Sequence, residues 1–280
     1  AVVLMFTPVI IQICRSSKCN PLPYLIGEIL ASNVGSAMTI TGNPQNMLVG
    51  LASNLSYGRF MLHLLPISVV GLGLTILVLR LLYKREFAEK TPLVFPEGEP
   101  FKLGQIVRSG SVFALIVIGF FFGKFLNLSI PLIALVGSAL ILLLGKAKPS
   151  AIIHKVDWVL LLFFGSLFIV VAAVEKVGLF SGLLQGNLFT ADLKGLGLIH
   201  GTSLLLSQVV SNVPFAVLML PFLKAVGSDM LWLALASAST LAGNATIIGA
   251  MANLIVIESA QKEGVTIGFM TFLKAGLVVT

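Results

Sequence analysis

Four long apolar runs dominate the chain, at 61–82, 106–123, 128–145 and 157–174. Each approaches the roughly 20 residues that a helix needs to cross the hydrocarbon of a bilayer. Several membrane crossings are therefore predicted. Apolar stretches at 22–55, 196–225 and 230–262 differ, because short polar islands cut each near its middle. They predict two broken crossings, 22–55 and 230–262, and a re-entrant hairpin at 196–225 whose arms are each too short to span. Residues 1–13 read as the second half of a helical element, 15–21 as a loop, and 266–280 as the start of another helix.

The two broken crossings share a sequence. Positions 31–50 and 238–257, offset by 207, match at seven of twenty places without a gap: Ala31/Ala238, Ser32/Ser239, Thr39/Thr246, Ile40/Ile247, Gly42/Gly249, Asn46/Asn253 and Val49/Val256. Shared apolar composition alone gives roughly one to three matches. An internal duplication is the simpler cause. Broken helices at matching places in two repeats point to the binding site of a secondary transporter.

Interrupting a helix in hydrocarbon strands about four amide donors and four carbonyls at each new end, so polar groups must gather there. The first copy offers Thr39, Thr41, Gly42, Asn43, Pro44 and Asn46; the second offers Asn244, Thr246, Gly249 and Asn253 without the proline. Gly42 permits unusual dihedrals, Pro44 stops one helix and starts the next, and the asparagines offer side-chain carbonyls. A carbonyl end favours a cation and an amide end an anion. The third island, Ser207–Pro214, places Ser211 and Asn212 at the hairpin tip beside the second break. Helix packing through small residues is the plainer reading of any one island, and three islands with two in register weigh against it. Ala216–Pro221 resembles Val2–Pro8, so 1–13 is predicted to be the outgoing arm of an equivalent hairpin whose tip precedes residue 1. Both chain ends lie inside apolar runs, the pattern of a piece cut from a longer polypeptide.

Composition agrees with lipid as the main solvent: 57% of residues are hydrophobic and 10% charged, against about 25% charged in a soluble domain. The net charge of +7 is spread over short loops rather than gathered on a face, which excludes nucleic acid as a partner. With 22–55 and 230–262 crossing once each and 196–225 returning on its own side, twelve of the Lys and Arg collect on one side: Arg15, Lys18, Arg80, Lys84, Arg85, Lys90, Lys102, Arg108, Lys146, Lys148, Lys155 and Lys262. Five, Arg59, Lys124, Lys176, Lys194 and Lys224, fall on the other. The richer side is predicted to be cytoplasmic. The broken crossings then run in opposite directions, as in an inverted repeat. The predicted parts are 1–82 (first repeat), 83–104 (a charged, Pro-rich cytoplasmic linker), 105–177 (scaffold helices of the second repeat) and 178–280 (its hairpin and broken helix).

Other chemistry is sparse. Cys14 and Cys19 read as free thiols, and His63, His154 and His200, without metal-ligand spacing, as loop or membrane-edge residues. Glu28, Asp157, Glu175 and Glu258 fall near predicted membrane ends as interfacial or capping acids, with a proton-relay role for Glu28 or Glu258 behind that.

Gly42–Asn46 in a broken helix, Ser211-Asn-Val-Pro214 at a hairpin tip and the inverted duplication resemble the citrate-transporter-like part of the ion transporter superfamily. The resemblance covers essentially the whole chain. It implies an all-α polytopic membrane protein with inverted repeats, re-entrant hairpins and broken transmembrane helices, working as a homodimer by an elevator-like movement. It also implies Na+ as a coupling ion at Gly42, Asn43 and Asn46 and at Ser211, Asn212 and Gly249, with no other cofactor. Val213 stands third at the tip and Ala250-Met251 replaces a small polar-Pro pair, which is closer to the arsenite-permease and sodium/proton-antiporter branch than to dicarboxylate carriers.

The expected function is secondary transport of a small anion, driven by an ion gradient, in a plasma membrane of bacterial type. Cation/proton antiport is the nearest alternative. An ion channel would need a continuous polar path rather than discrete islands, and an enzyme would need a nucleophile and base that the pattern does not offer.

Overall fold

The computed structural model describes residues 2–88, 92, 94, 103–144, 148–154, 156, 158–178 and 189–280. Most of the predicted linker, the connector at 179–188 and Asp157 lie outside the described residues. Among those described, every regular element is helical. In chain order they are α1 (Val2–Ser16), α2 (Leu22–Ser36), α3 (Pro44–Ser53), α4 (Tyr57–Leu82), α5 (Lys84–Ala88), α6 (Leu103–Phe122), α7 (Ile130–Leu144), α8 (Pro149–Ile153) and α9 (Trp158–Val177). Then follow α10 (Leu193–Val210), α11 (Asn212–Val226), α12 (Asp229–Ala242), a 3-10 turn (Ile247–Gly249), α13 (Met251–Lys262) and α14 (Phe269–Val279).

Local chemistry sets the starts. Pro44 and Pro149 open α3 and α8, where a missing N–H costs nothing, and the Asp192 carboxylate accepts the Gly195 N–H at 2.8 Å to open α10. The four long apolar runs appear as α4, α6, α7 and α9.

The chain divides into two compact units, one of residues 1–55, 59–96 and 171–280 and one of 56–58 and 97–170. In the smaller unit α6 packs on α7, and a Cβ on Gly137 would come within 2.2 Å of Ile116, so a small residue sets the approach. The larger unit contains both polar islands of the duplication and the hairpin. Its core joins Ile11 of α1, Leu25, Ile29 and Val34 of α2, Val256 of α13 and Phe272 of α14. The packing pairs are reciprocal: α1 lies on α2 and α13, while α11 lies on α12 and α3. Nearly every residue of α12 is buried, as suits a helix surrounded by protein.

Three expectations are corrected here. The hairpin reaches beyond 196–225: its arms are α10 and α11, only Ser211 separates them, and Pro214 sits inside the first turn of α11. The Asp192 cap starts α10 early, and at 18 residues α10 joins α4 as long and apolar enough to cross a bilayer. His63 and His200, expected in loops or at membrane edges, lie in the first halves of α4 and α10, each ring Nδ1 within 2.9 Å of the carbonyl four residues back. Cys14 and Cys19 are free.

Candidate functional site

The first broken helix comes apart between Ser36 and Pro44. Its last turn tightens as Ala37 N–H bonds Val34 O, and Gly42 N–H bonds Thr39 O at 3.1 Å. The chain then folds back so closely that a Cβ on Gly42 would lie 2.0 Å from Ser36 O, which only glycine avoids. Asn43, extended before the proline, accepts the Asn46 N–H on Oδ1 at 2.8 Å and so caps α3. Asn46 is fully buried and closes the break from inside. Its Nδ2 lies within 3.2 Å of the carbonyls of Ser36, Ala37 and Thr39, gathering the carbonyls freed where α2 ends.

The second break repeats these bonds 207 positions later. Asn244 N–H bonds Leu241 O, Gly249 N–H bonds Thr246 O at 3.1 Å, and Asn253 Nδ2 donates to Gly243 O at 2.7 Å and Thr246 O at 2.9 Å. A Cβ on Gly249 would come 3.0 Å from Gly243 O and 2.8 Å from Gln208 Oε1. No proline restarts α13; Ala250 stands extended before it and offers no side-chain cap.

Thr39 lends its carbonyl to the first closure, and Thr41 and Gly42 line the exposed bend. Asn43, on the same bend, donates from Nδ2 to Ser36 Oγ at 2.9 Å and Thr240 Oγ1 at 3.0 Å. Asn244 Oδ1 accepts from Asn33 Nδ2 at 2.9 Å, and Thr246 Oγ1 donates to Gln208 Oε1 at 2.7 Å. The hairpin tip also reaches the second break: Asn212 Nδ2 lies 3.4 Å, and the Ala250 Cβ 2.8 Å, from where a Cβ on Gly243 would stand. Ser211 holds φ +69 and ψ 161, a conformation that side chains other than glycine resist. The structure thus gathers Ser211, Asn212, Asn244, Thr246, Gly249 and Asn253 around one break and Thr39 through Asn46 around the other.

Three residues escaped the sequence reading: Asn33 on α2, Gln208 on α10 and Thr240 on α12. Gln208 Nε2 donates to Ala242 O at 2.8 Å, so the hairpin arm caps the carbonyl end of α12. A polar side chain inside a buried helical stretch was the available signal, and Asn33 and Thr240 stand at the same offset of 207.

Neutral oxygens are the only donor set at either break, and no cluster of three His, Cys, Asp or Glu occurs among the described residues. At the first set named for Na+, Asn43 Oδ1 accepts Asn46 N–H and Asn46 Oδ1 accepts the Thr240 hydroxyl, so one of the two lone pairs on each oxygen is already engaged. At the second set Ser211 and Asn212 share only a 3.5 Å contact, leaving their oxygens free to fit a cation. The buried Nδ2 of Asn244 has no hydrogen-bond partner. Glu28 sits on α2 away from both breaks, its carboxylate oxygens 3.0 and 3.1 Å from Thr7 Oγ1 of α1. Glu258 is exposed and pairs with Lys262 at 2.9 Å.

The model of the citrate transporter family, CitMHS, matches residues 1–242. The chain belongs to this family. A Mycobacterium tuberculosis (strain ATCC 25618 / H37Rv) protein named an uncharacterized transporter is 32% identical, covering 99% of this chain and 68% of its own length. A Synechocystis uncharacterized transporter is 27% identical over 99% of this chain and 69% of its own length. The human P protein is 27% identical over 98% of this chain and 44% of its own. Membership of a transporter family makes this an integral membrane protein that moves a solute, in agreement with the all-helical fold and its apolar surface. The family match ends at Ala242, where the second break begins.

Proposed function

We propose that this chain is the core of a secondary active carrier for a small anion, driven by a gradient of Na+ or H+, in a bacterial-type plasma membrane with the 83–104 linker on the cytoplasmic side. The observation that carries the reading is the pair of helix breaks closed by Asn46 and Asn253 through the same bonds at a constant offset. An inverted arrangement is supported by two ion pairs. Arg15, just before α2, bonds Glu263, just after α13, at 2.8 Å, and Arg59, after α3, bonds Asp229, at the start of α12, at 2.8 Å. These bonds hold the end of α1 near the end of α13 and the start of α4 near the start of α12, which supports broken helices that run antiparallel.

The anion's place in this reading is the second break. There α11 and α13 begin without a side-chain cap, their partial positive ends meet near Gly243, and the Asn244 amide keeps an unused donor. A coupling Na+ would use the oxygens of Ser211 and Asn212 on the same side, with Gly249 giving close approach. Hairpins moving against a scaffold, in a homodimer, complete the proposal.

Uptake by proteoliposomes of the full-length protein, across a panel of inorganic and carboxylate anions with Na+ or pH gradients imposed, tests it. The reading predicts saturable, gradient-dependent uptake of one anion class. Gradient-independent flux, or unitary currents in a planar bilayer, would replace it with a channel. Cation/proton antiport stays the second reading because Glu28, an acid inside the first broken helix, has the Thr7 hydroxyl as its bonded partner. Ion-driven proton flux with no added anion would favour it.

A further inference from the structure

We propose that Asn33 and Thr240 are positioning residues that bind the two breaks into one mechanical unit, each holding shut the break of the opposite helix. The proposal concerns how the site is held rather than what it carries, so it stands whether or not the carrier reading does.

Thr240 belongs to the broken helix that contains the second break, yet its hydroxyl serves the first. Oγ1 donates to Asn46 Oδ1 at 3.3 Å and accepts from Asn43 Nδ2 at 3.0 Å and Gln45 Nε2 at 3.3 Å. One donor and two lone pairs are all a hydroxyl has, so its capacity is filled. Asn33 belongs to the broken helix of the first break and serves the second. Both hydrogens of its amide are used, on Asn244 Oδ1 at 2.9 Å and Asn253 Oδ1 at 2.8 Å. The two braces occupy equivalent positions, since 33 + 207 = 240.

Asn46 and Asn253 are thus divided in the same way. Each gives its amide hydrogens to carbonyls of its own helix and takes a hydrogen on its oxygen from the other. All four side chains are buried, Asn33 at 6% exposure, Thr240 at 1%, and Asn46 and Asn253 at 0%. Withdrawing a donor there strands an acceptor away from water, a cost well above that of a bond lost at the surface. Opening either break therefore leaves an unpaired group on the opposite helix.

Hydrogen exchange of the full-length protein in lipid nanodiscs reads this directly. Thr240→Val is expected to speed exchange of residues 37–47, in the opposite helix, by roughly tenfold, the scale of one buried bond. Asn33→Leu is expected to do the same for 243–253, and Thr240→Ser to restore the wild-type pattern. Thr240→Cys, similar in size with a weaker donor, should give a smaller rise at 37–47 and decides the matter if the valine variant does not fold. Faster exchange confined to the mutated residue's own break, or a serine variant no better than valine, would overturn the proposal.

Discussion

At the scale of single residues, Asn46 matters through its nitrogen. Its spacing from Pro44 suggests a side-chain oxygen offered to an ion, whereas the structure turns the amide hydrogens onto three backbone carbonyls. Asn46→Ala should therefore cost about 1–3 kcal/mol of stability, seen as a lower Tm in detergent, as well as ending uptake. Asn46→Asp, which sets a carboxylate against those carbonyls, should cost more. A Tm equal to wild type in both variants would contradict this role. Gly42→Ala and Gly35→Ala form a matched pair. The first drives a Cβ to 2.0 Å from Ser36 O and should be strongly destabilising; the second meets nothing within 4 Å and should be neutral or stabilising by about 0.5–1 kcal/mol.

At the scale of elements, the tip of the α10–α11 hairpin stores strain at Ser211. Ser211→Gly should stabilise the protein by about 1 kcal/mol while lowering uptake, because the strain and the candidate hydroxyl leave together. Equal activity and stability would contradict it. At the start of α10 the Thr190 hydroxyl, followed by the Gly195 N–H, holds the Asp192 carboxylate below its usual range. A lowered pKa in the folded state gives stability that is present above the unfolded pKa and lost as pH falls through the folded one. Protection of the amides at 193–196, taken relative to their intrinsic exchange rate at each pH, should fall on acidification, and Asp192→Asn should remove that dependence. The breaks themselves were readable in the sequence, since Gly42, Asn43 and Pro44 carry their backbone consequences locally. Asn33, Gln208 and Thr240 were not, because partners 34 to 220 positions away give each its role. The length of α10 was missed for a local reason: the cap at Asp192 precedes the apolar run used to place the arm.

Across the whole molecule, the pattern of charges and the ion pairs agree without sharing a cause. Arg15 pairs with Glu263, next to Lys262 on the side predicted to be cytoplasmic, and Arg59 pairs with Asp229 on the other. Such exposed pairs are worth under about 1 kcal/mol, so Arg59→Gln should leave Tm nearly unchanged. The central claim is that two breaks deep in the bilayer face water and that the second holds the anion. Thr41 and Ile248 stand at equivalent places in the two bends, 207 positions apart, so single cysteines there, with Cys14 and Cys19 replaced by serine, test it most directly. Both should react with a water-soluble maleimide, and the transported anion should slow the reaction at Ile248→Cys, while a lipid-facing control at Val70 stays unlabelled. Labelling of Thr41→Cys and Ile248→Cys by lipid-soluble reagents alone, at the rate of the Val70 control, would contradict the account.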